Sequence, residues 1–264
     1  MIDFHSHIIP SVDDGSSSFE MSLNMIENSK RQGVKAICAT PHFIVGEYEI
    51  DRIEYEKSIE SLRKATSNIK IVNGLELYIN PELPYLYEKD NIWGINNKGY
   101  LLIELPMRDS PIYTKDVFYE LRLLGLNPII AHPERNISIL KDPELLMDLV
   151  HQGTLIQMNA GSFMGNYGDR IKKFAESLVD KNLAHILGSD GHNDDKRNTN
   201  IKEAFEIIKS RNLSLYKWIL NNEEKVLDGQ EVEILEINSN KRKKMFSFFK
   251  KIKIIIYIFI LKCF

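Results

Sequence analysis

Seven short apolar runs, spread over about 190 residues, each end in a polar cluster. The clusters are Asp3-Phe4-His5-Ser6-His7, Thr40-Pro41-His42, Gly74-Leu75-Glu76, Ile103-Glu104, Ala131-His132-Pro133-Glu134-Arg135, Met158-Asn159-Ala160 and Gly188-Ser189-Asp190-Gly191-His192. Residues so scattered can meet only if the fold gathers strand ends at one face, which a parallel barrel does. Five of the chain's seven histidines and several acids lie in these clusters. That is a ligand set for two or three borderline-to-hard divalent cations.

The runs read as short buried strands bounded by Gly, Asn or Pro: 2–4, 36–39, 69–72, 100–103, 127–130, 155–158 and 184–187. Helix-length segments separate them at 19–32, 50–65, 115–124, 143–152, 169–181 and 201–210. Gly33, Gly125 and Gly153 stand where a left-handed C-cap belongs, and Pro143 where a first-turn proline does. Strand–helix alternation predicts an α/β protein with a parallel sheet and right-handed crossovers. Polar clusters after all seven strands favour a barrel, because an open doubly wound sheet concentrates them at one switch point.

At 264 residues and 43% hydrophobic content, the chain suits one large domain. The net charge of −3 hides an asymmetry. From Lys241 onward there are 8 Lys/Arg and no acid, which leaves 26 basic and 37 acidic residues, net −11, in the rest. An acidic body argues against nucleic-acid binding. Cys38 and Cys263 are too few and too far apart for a disulfide scaffold, and they fit a reducing compartment. The opening Met1-Ile2-Asp3-Phe4 reads as a strand rather than a secretory leader, so a cytoplasmic protein is expected. The expected division is a domain over 1–235 and a basic, apolar tail over 236–264. The tail's last apolar run, 254–261, is far short of the ~20 residues that span a bilayer. It reads either as a peripheral anchor, drawn to anionic lipid by roughly 1 kcal/mol per basic residue, or as an extension without a role.

His-x-His on a strand places both imidazoles on one side. Alone the pair is weak. With His42, Glu76, Glu104, His132, Asp190 and His192 at later strand ends it is strong, because imidazoles suit Mn, Fe or Zn and carboxylates can bridge metals roughly 3.5–4 Å apart. Asp13 or Asp14, in the turn that follows, can reach the same site. His185 lies within a strand and reads as a packing residue. His151 lies near a helix C-terminus, where the dipole favours a cation.

These residues resemble the polymerase-and-histidinol-phosphatase (PHP) superfamily of metal-dependent phosphoesterases. More specifically, they resemble the CpsB/CapC group of bacterial tyrosine-protein phosphatases. The segments 1–10, Val12-Asp13-Asp14-Gly15-Ser16, Ala39-Thr40-Pro41-His42, Ala131-His132-Pro133-Glu134-Arg135 and 188–193 carry the resemblance, which covers roughly residues 1–235. It departs at Gly191, where family members usually carry Ala. It implies a distorted (β/α)7 barrel, the PHP fold, holding about three metal ions, commonly Mn2+, with Fe, Zn, Co or Mg as alternatives. By the resemblance, His5, His7, Glu76 and Asp190 hold the first ion; Glu76 bridges to a second, held also by Glu104 and His132; Asp14, His42 and His192 hold the third. Arg135 and Arg197 match the family's phosphate-binding, catalytic arginines. The implied substrate is a phosphorylated tyrosine autokinase of a capsule or exopolysaccharide system. The tail is no part of the resemblance; if it is an anchor, it would hold the chain near such a kinase at the membrane.

The residues agree with phosphotyrosine chemistry. Guanidinium groups match phosphate geometry. A phenol of pKa about 10 leaves with less help than an alkoxide, so no dedicated general acid is required. A cysteine-based phosphatase needs an arginine six positions after its thiolate; Ile44 follows Cys38 at that distance, and Cys263 is the penultimate residue. Two rivals remain: a small-molecule phosphomonoesterase of the histidinol-phosphate kind, and a non-catalytic regulatory protein that binds metal structurally.

Overall fold

The structure is a computed structural model that describes residues 1–238. Nearly all of the expected tail therefore lies outside the described residues. The strands are β1 (Ile2–Ser6), β2 (Ala36–Ala39), β3 (His42–Phe43), β4 (Lys70–Asn73), β5 (Glu76–Tyr78), β6 (Tyr100–Glu104), β7 (Asn127–Ala131), β8 (Leu155–Asn159) and β9 (Ile186–Gly188). The helices are α1 (Phe19–Arg31), α2 (Arg52–Ala65), α3 (Leu83–Glu88), α4 (Thr114–Leu123), α5 (Ile137–Lys141), α6 (Glu144–His151), α7 (Ala160–Met164), α8 (Asp169–Asp180), α9 (Lys202–Arg211) and α10 (Leu213–Leu227). All strand pairs are parallel, in the orders β1-β2-β4 and β3-β5-β6-β7-β8-β9. The result is a mixed α/β fold whose parallel strands curl into a half-barrel.

All seven expected strands form, but nine are present among the described residues. The two additions have one cause. Pro41 has no N–H to continue the ladder, so β2 stops and β3 restarts beyond it. The neighbouring strand breaks alongside: Gly74 N–H turns to the Tyr55 hydroxyl at 3.0 Å, and Glu76 N–H donates to Pro41 O at 3.0 Å. His42 and Glu76 therefore begin strands rather than follow them, and they pair with each other in register. The two sheets approach between β1 and the segment after β9. There Ser6 bridges Gly191, Asp190 N–H donates to His5 O, and His7 N–H donates to Gly191 O.

Strand alternation sorts the core. Ile37, Leu101, Ile103, Ile130 and Ile156 pack against helix residues such as Met25, Ile59, Phe118 and Leu149. The alternate residues, Phe4, Cys38, Val72, Leu102, Ile129, Leu155 and Ile186, form a second cluster closed by Val226 and Leu227 of α10 and by Val232. This inner face continues upward as Glu104 after Leu102 and as Gln157 and Asn159 after Leu155. The six expected helices form within two residues of their expected ends, and Gly33, Gly125 and Gly153 have positive φ as capping requires. The short helices α3, α5 and α7, and the C-terminal α10, were not foreseen.

Candidate metal centre

The polar half of the inner face begins with an irregularity in β1. Asp3 pairs with Ile37 but Ser6 pairs with Ala39, so β1 carries one extra residue. A bulge of this kind re-aims side chains. After Ile2 and Phe4, it turns His5 and then His7 toward the same interior. The Asp3 carboxylate fixes the bulge by accepting from His5 N–H (3.2 Å) and from Ser189 N–H (2.8 Å). Burial pushes that carboxyl up to about 6. Two bare α-carbons make room. A Cβ on Gly188 would lie 2.4 Å from His5 Cβ, and one on Gly15 would lie 2.4 Å from His7 Cβ.

The expected ligands converge. His5 Nε2 lies 3.1 Å from His7 Nε2, and both face Glu76 Oε2, at 3.0 and 3.2 Å. Asp190 Oδ1 is 3.8 and 3.5 Å from the same two nitrogens. His132 Nε2 is 2.9 Å from Glu76 Oε1 and 3.8 Å from Glu104 Oε1. Asp14 Oδ1 lies 3.3 Å from His192 Nε2 and 3.6 Å from His42 Nε2. Four overlapping groups could each hold an ion: His7/Asp14/His42/His192, His5/His7/Asp190, His5/Glu76/His132 and His42/Glu76/Glu104. The grouping differs from the expected three sets: His7 joins Asp14, His42 and His192, Glu76 lies with His5 and His132 rather than with His7 and Asp190, and Glu104 groups with His42 and Glu76 rather than with His132.

The donor chemistry fits divalent cations. His42 Nδ1 and Glu76 Oε2 are 3.1 Å apart and buried, yet neither makes a hydrogen bond. Buried polar atoms are normally paired, and orphans aimed at one point suit a shared ion. Burial, with the Glu76 and Asp190 charges, pushes the Glu104 carboxyl up to about 9. A cation there would reverse that repulsion. Two candidates also hold left-handed backbone, His132 at φ 28° and Asp190 at φ 52°. Such conformations cost on the order of 1–3 kcal/mol and cluster at functional sites.

The adjacent aspartates separate. Asp13 is turned inward: it holds His7 Nδ1 at 2.7 Å and accepts from His42 N–H and Gly15 N–H. It is an orienting partner of the kind ligating histidines commonly have. Asp14 is half-exposed and presents its oxygen to His42 and His192. The His192 contact draws its carboxyl down to about 2.

Other supports carried weak sequence signals. Gln157 Oε1 holds His5 Nδ1 at 3.1 Å, and Asn159 Nδ2 donates to Asp190 Oδ2 at 2.8 Å. The Gln-x-Asn spacing at the end of β8 was the signal available. Buried Glu134 accepts from Asn159 N–H and Ser162 Oγ, which ties the start of α7 to the segment bearing Arg135. Arg135 lies 4.3 Å over the Tyr167 ring and donates to Asp190 Oδ2 at 2.6 Å; Arg197 reaches Asp190 at 3.2 Å. Both arginines line a cleft of about 310 Å³ with the candidate ligands Asp14, His42, Glu76, Glu104, His132, Asp190 and His192. At the departure from the family pattern, an added Cβ on Gly191 would come 2.8 Å from Thr199 Cγ2.

The other histidines and the described cysteine lie apart, as expected. His185 is buried and accepts from Ile156 N–H, and His151 is exposed at the end of α6. Cys38 is buried in the inner apolar cluster, and its thiol is held well above the usual range by burial.

Known proteins resemble this chain in sequence and fold. Tyrosine-protein phosphatase YwqE of Bacillus subtilis (strain 168) is 35% identical over 254 residues, covering 94% of this chain and 100% of that protein. The Staphylococcus aureus protein named putative tyrosine-protein phosphatase CapC is 35% identical over 257 residues, covering 93% and 99%. A crystal structure from work on YwqE of B. subtilis and CpsB of Streptococcus pneumoniae, described as unique metal-dependent tyrosine phosphatases, superposes with a TM-score of 0.85 at 33% identity. It covers 91% of this chain and 100% of that one. The sequence model of the family described as "Capsular polysaccharide synthesis, CpsB/CapC" matches residues 1–228, and the chain belongs to that family.

Proposed function

We propose that the chain is a metal-dependent protein-tyrosine phosphatase that hydrolyses phosphotyrosine on a tyrosine autokinase and so regulates capsular or exopolysaccharide synthesis. The observation that carries this reading is the convergence of five imidazoles, four carboxylates and two guanidiniums at one cleft and directly beneath it, where His5 and His7 are buried. The relatives named as tyrosine-protein phosphatases, aligned over nearly the whole chain, support it.

In this reading the strands form a distorted (β/α)7 barrel, with β2/β3 and β4/β5 each one interrupted stave. The phosphatase domain is 1–235. His5, His7, Glu76 and Asp190 hold one ion, Glu76, Glu104 and His132 a second, and Asp14, His42 and His192 a third, with Mn2+ as the metal. Bound divalent cations supply an ionised water near neutral pH and offset charge on the phosphate. Arg135 and Arg197 bind the non-bridging oxygens and orient phosphorus for in-line displacement. The bond from phosphorus to the tyrosyl oxygen breaks, releasing phosphate and the phenol. Asp13 and Gln157 hold His7 and His5 by their outer nitrogens and so fix which nitrogen faces the metal.

The enzyme acts in the cytoplasm, and its basic tail, 241–264, holds it near the membrane. No helix among the described residues is long and apolar enough to cross a bilayer. Deleting the tail should cut co-sedimentation with anionic vesicles and leave soluble-peptide turnover intact. The decisive experiment is hydrolysis of a phosphotyrosyl peptide after chelation and again after adding Mn2+. Loss followed by recovery supports the reading. Inactivity of folded protein loaded with any of several divalent metals would overturn it.

A further inference from the structure

The cleft has a polar floor and a small apolar wall. Of the residues lining it, Asp14, His42, Glu76, Glu104, His132, Asp190, His192 and the two arginines are charged or ligand-type, and Glu47 adds an acid at the rim. Only Ile44, Tyr48 and Met107 present apolar or aromatic surface, and each is half-buried.

These three side chains are held in place by their backbones. Ile44 and Tyr48 close a tight hairpin after β3: Ile44 N–H donates to Tyr48 O at 2.8 Å, and Tyr48 N–H returns to Ile44 O at 2.9 Å. Gly46, at φ 81°, permits the turn, and its N–H is held by Glu49 Oε1. The Tyr48 ring lies nearly parallel to that of His42, 18° between planes and 6.2 Å between centroids. Met107 comes from the loop after β6. Its carbonyl accepts from Ile137 N–H, and Asn136 ties down Pro106 O and Asp109 O on either side. Asn136 directly follows Arg135, so one short segment sets both a phosphate-binding arginine and the Met107 loop. Tyr167, the other aromatic ring beside Arg135, already has that guanidinium over its face.

On the phosphatase reading, we infer that Tyr48, Met107 and Ile44 form a slot for the aryl ring of the substrate, so that this wall separates phosphotyrosine from alkyl phosphate monoesters. A phosphate on the charged floor leaves its ester oxygen directed outward along the cleft. A phenyl ring on that oxygen meets the wall, whereas a methylene offers it little area. Ring–ring and sulfur–ring contacts are the interactions such side chains provide.

Binding of non-hydrolysable probes tests this without turnover. Calorimetry on the metal-loaded full chain should give tighter binding of phenylphosphonate than of methylphosphonate. Tyr48→Ala and Met107→Ala should each weaken phenylphosphonate by about tenfold, the scale of one good aromatic contact. Methylphosphonate affinity and metal content should stay unchanged, and Tyr48→Phe should retain the preference. Equal affinities in the parent protein, or equal loss of both probes in the variants, would overturn the slot. A retained aryl preference in a protein that hydrolyses no phosphotyrosyl peptide would leave the slot standing and remove the phosphatase reading.

Discussion

The inner face of the half-barrel has two storeys built from the same strands. In the lower one, Phe4, Leu102, Ile129, Leu155 and Ile186 close on one another and on α10. In the upper one, His5, Glu104, His132, Gln157 and Asn159, farther along the same strands or just past their ends, gather under a cleft that Glu104 and His132 line. Polar groups beside the apolar layers are mixed: Tyr55 donates to Ala39 O and Ser6 Oγ to Cys38 O, while Ser29 Oγ, Trp93 Nε1 and His185 Nε2 lack partners. The upper storey sets donor atoms against each other at 3.0–3.2 Å and leaves Glu76 Oε2 unpaired. Folding energy comes from below and is partly spent above, where buried like charges and left-handed residues are destabilising until a cation binds.

The largest effect expected from that division is at His7. His7→Ala should abolish stoichiometric metal binding and lower turnover on the order of 10⁴-fold, equivalent to about 5–6 kcal/mol of barrier. The chain should still fold, because the apolar storey is untouched. Metal analysis with circular dichroism checks both halves. Unfolding together with metal loss would mean that the two storeys are not separable.

The converse change lies one storey down. Ile129→Ala, at a fully buried position of β7, should cost about 2–5 kcal/mol of stability. Metal content and kcat at low temperature should hold. Denaturant titration in apo and loaded forms measures this, and a coupled loss of metal would break the comparison.

Arg135→Ala probes the upper storey without removing a candidate ligand, although Arg135 donates to one, Asp190. Metal should be retained while turnover falls about 10²–10³-fold, the usual cost of removing one donor to transition-state charge. If metal content falls in step with activity, Arg135 acts through Asp190 and not on phosphate.

How much of this was legible depended on chain distance and side-chain class. Each expected strand formed, because a short apolar run bounded by breakers leaves few alternatives. All nine expected ligands and both arginines reached one site, because their residue types have few other uses at strand ends. The doubled strands at Pro41 and Gly74 were not foreseen, since a break in a ladder is decided jointly by two neighbouring strands. The β1 bulge was hidden for the same reason. The inward turn of Asp13 could not be separated from the outward turn of Asp14, because adjacent residues of one type differ only in backbone direction. Tyr48, Met107 and Tyr167 gave no signal, since aromatic and thioether side chains in loops serve packing equally well.

The smallest expected effect uses the histidine set apart from the metals. His185 is buried against Trp218, with ring centroids 5.5 Å apart, and accepts from Ile156 N–H. Burial pushes its imidazole down to about 3, against an ordinary value of 6.5. Between those values the unfolded chain binds the proton more readily, so this residue lowers stability as pH falls through the window and has no such effect above it. The slope approaches about 1.4 kcal/mol per pH unit within the window. His185→Gln keeps an acceptor for Ile156 and removes the titration. Unfolding free energies of the variant should therefore decline less steeply than the parent's between pH 6.5 and 4, with equal slopes above pH 7. The difference between the two curves isolates His185 from the five site histidines, which titrate in both proteins. Parallel curves through the acid range would mean that His185 takes up its proton as readily in the fold as in the unfolded chain.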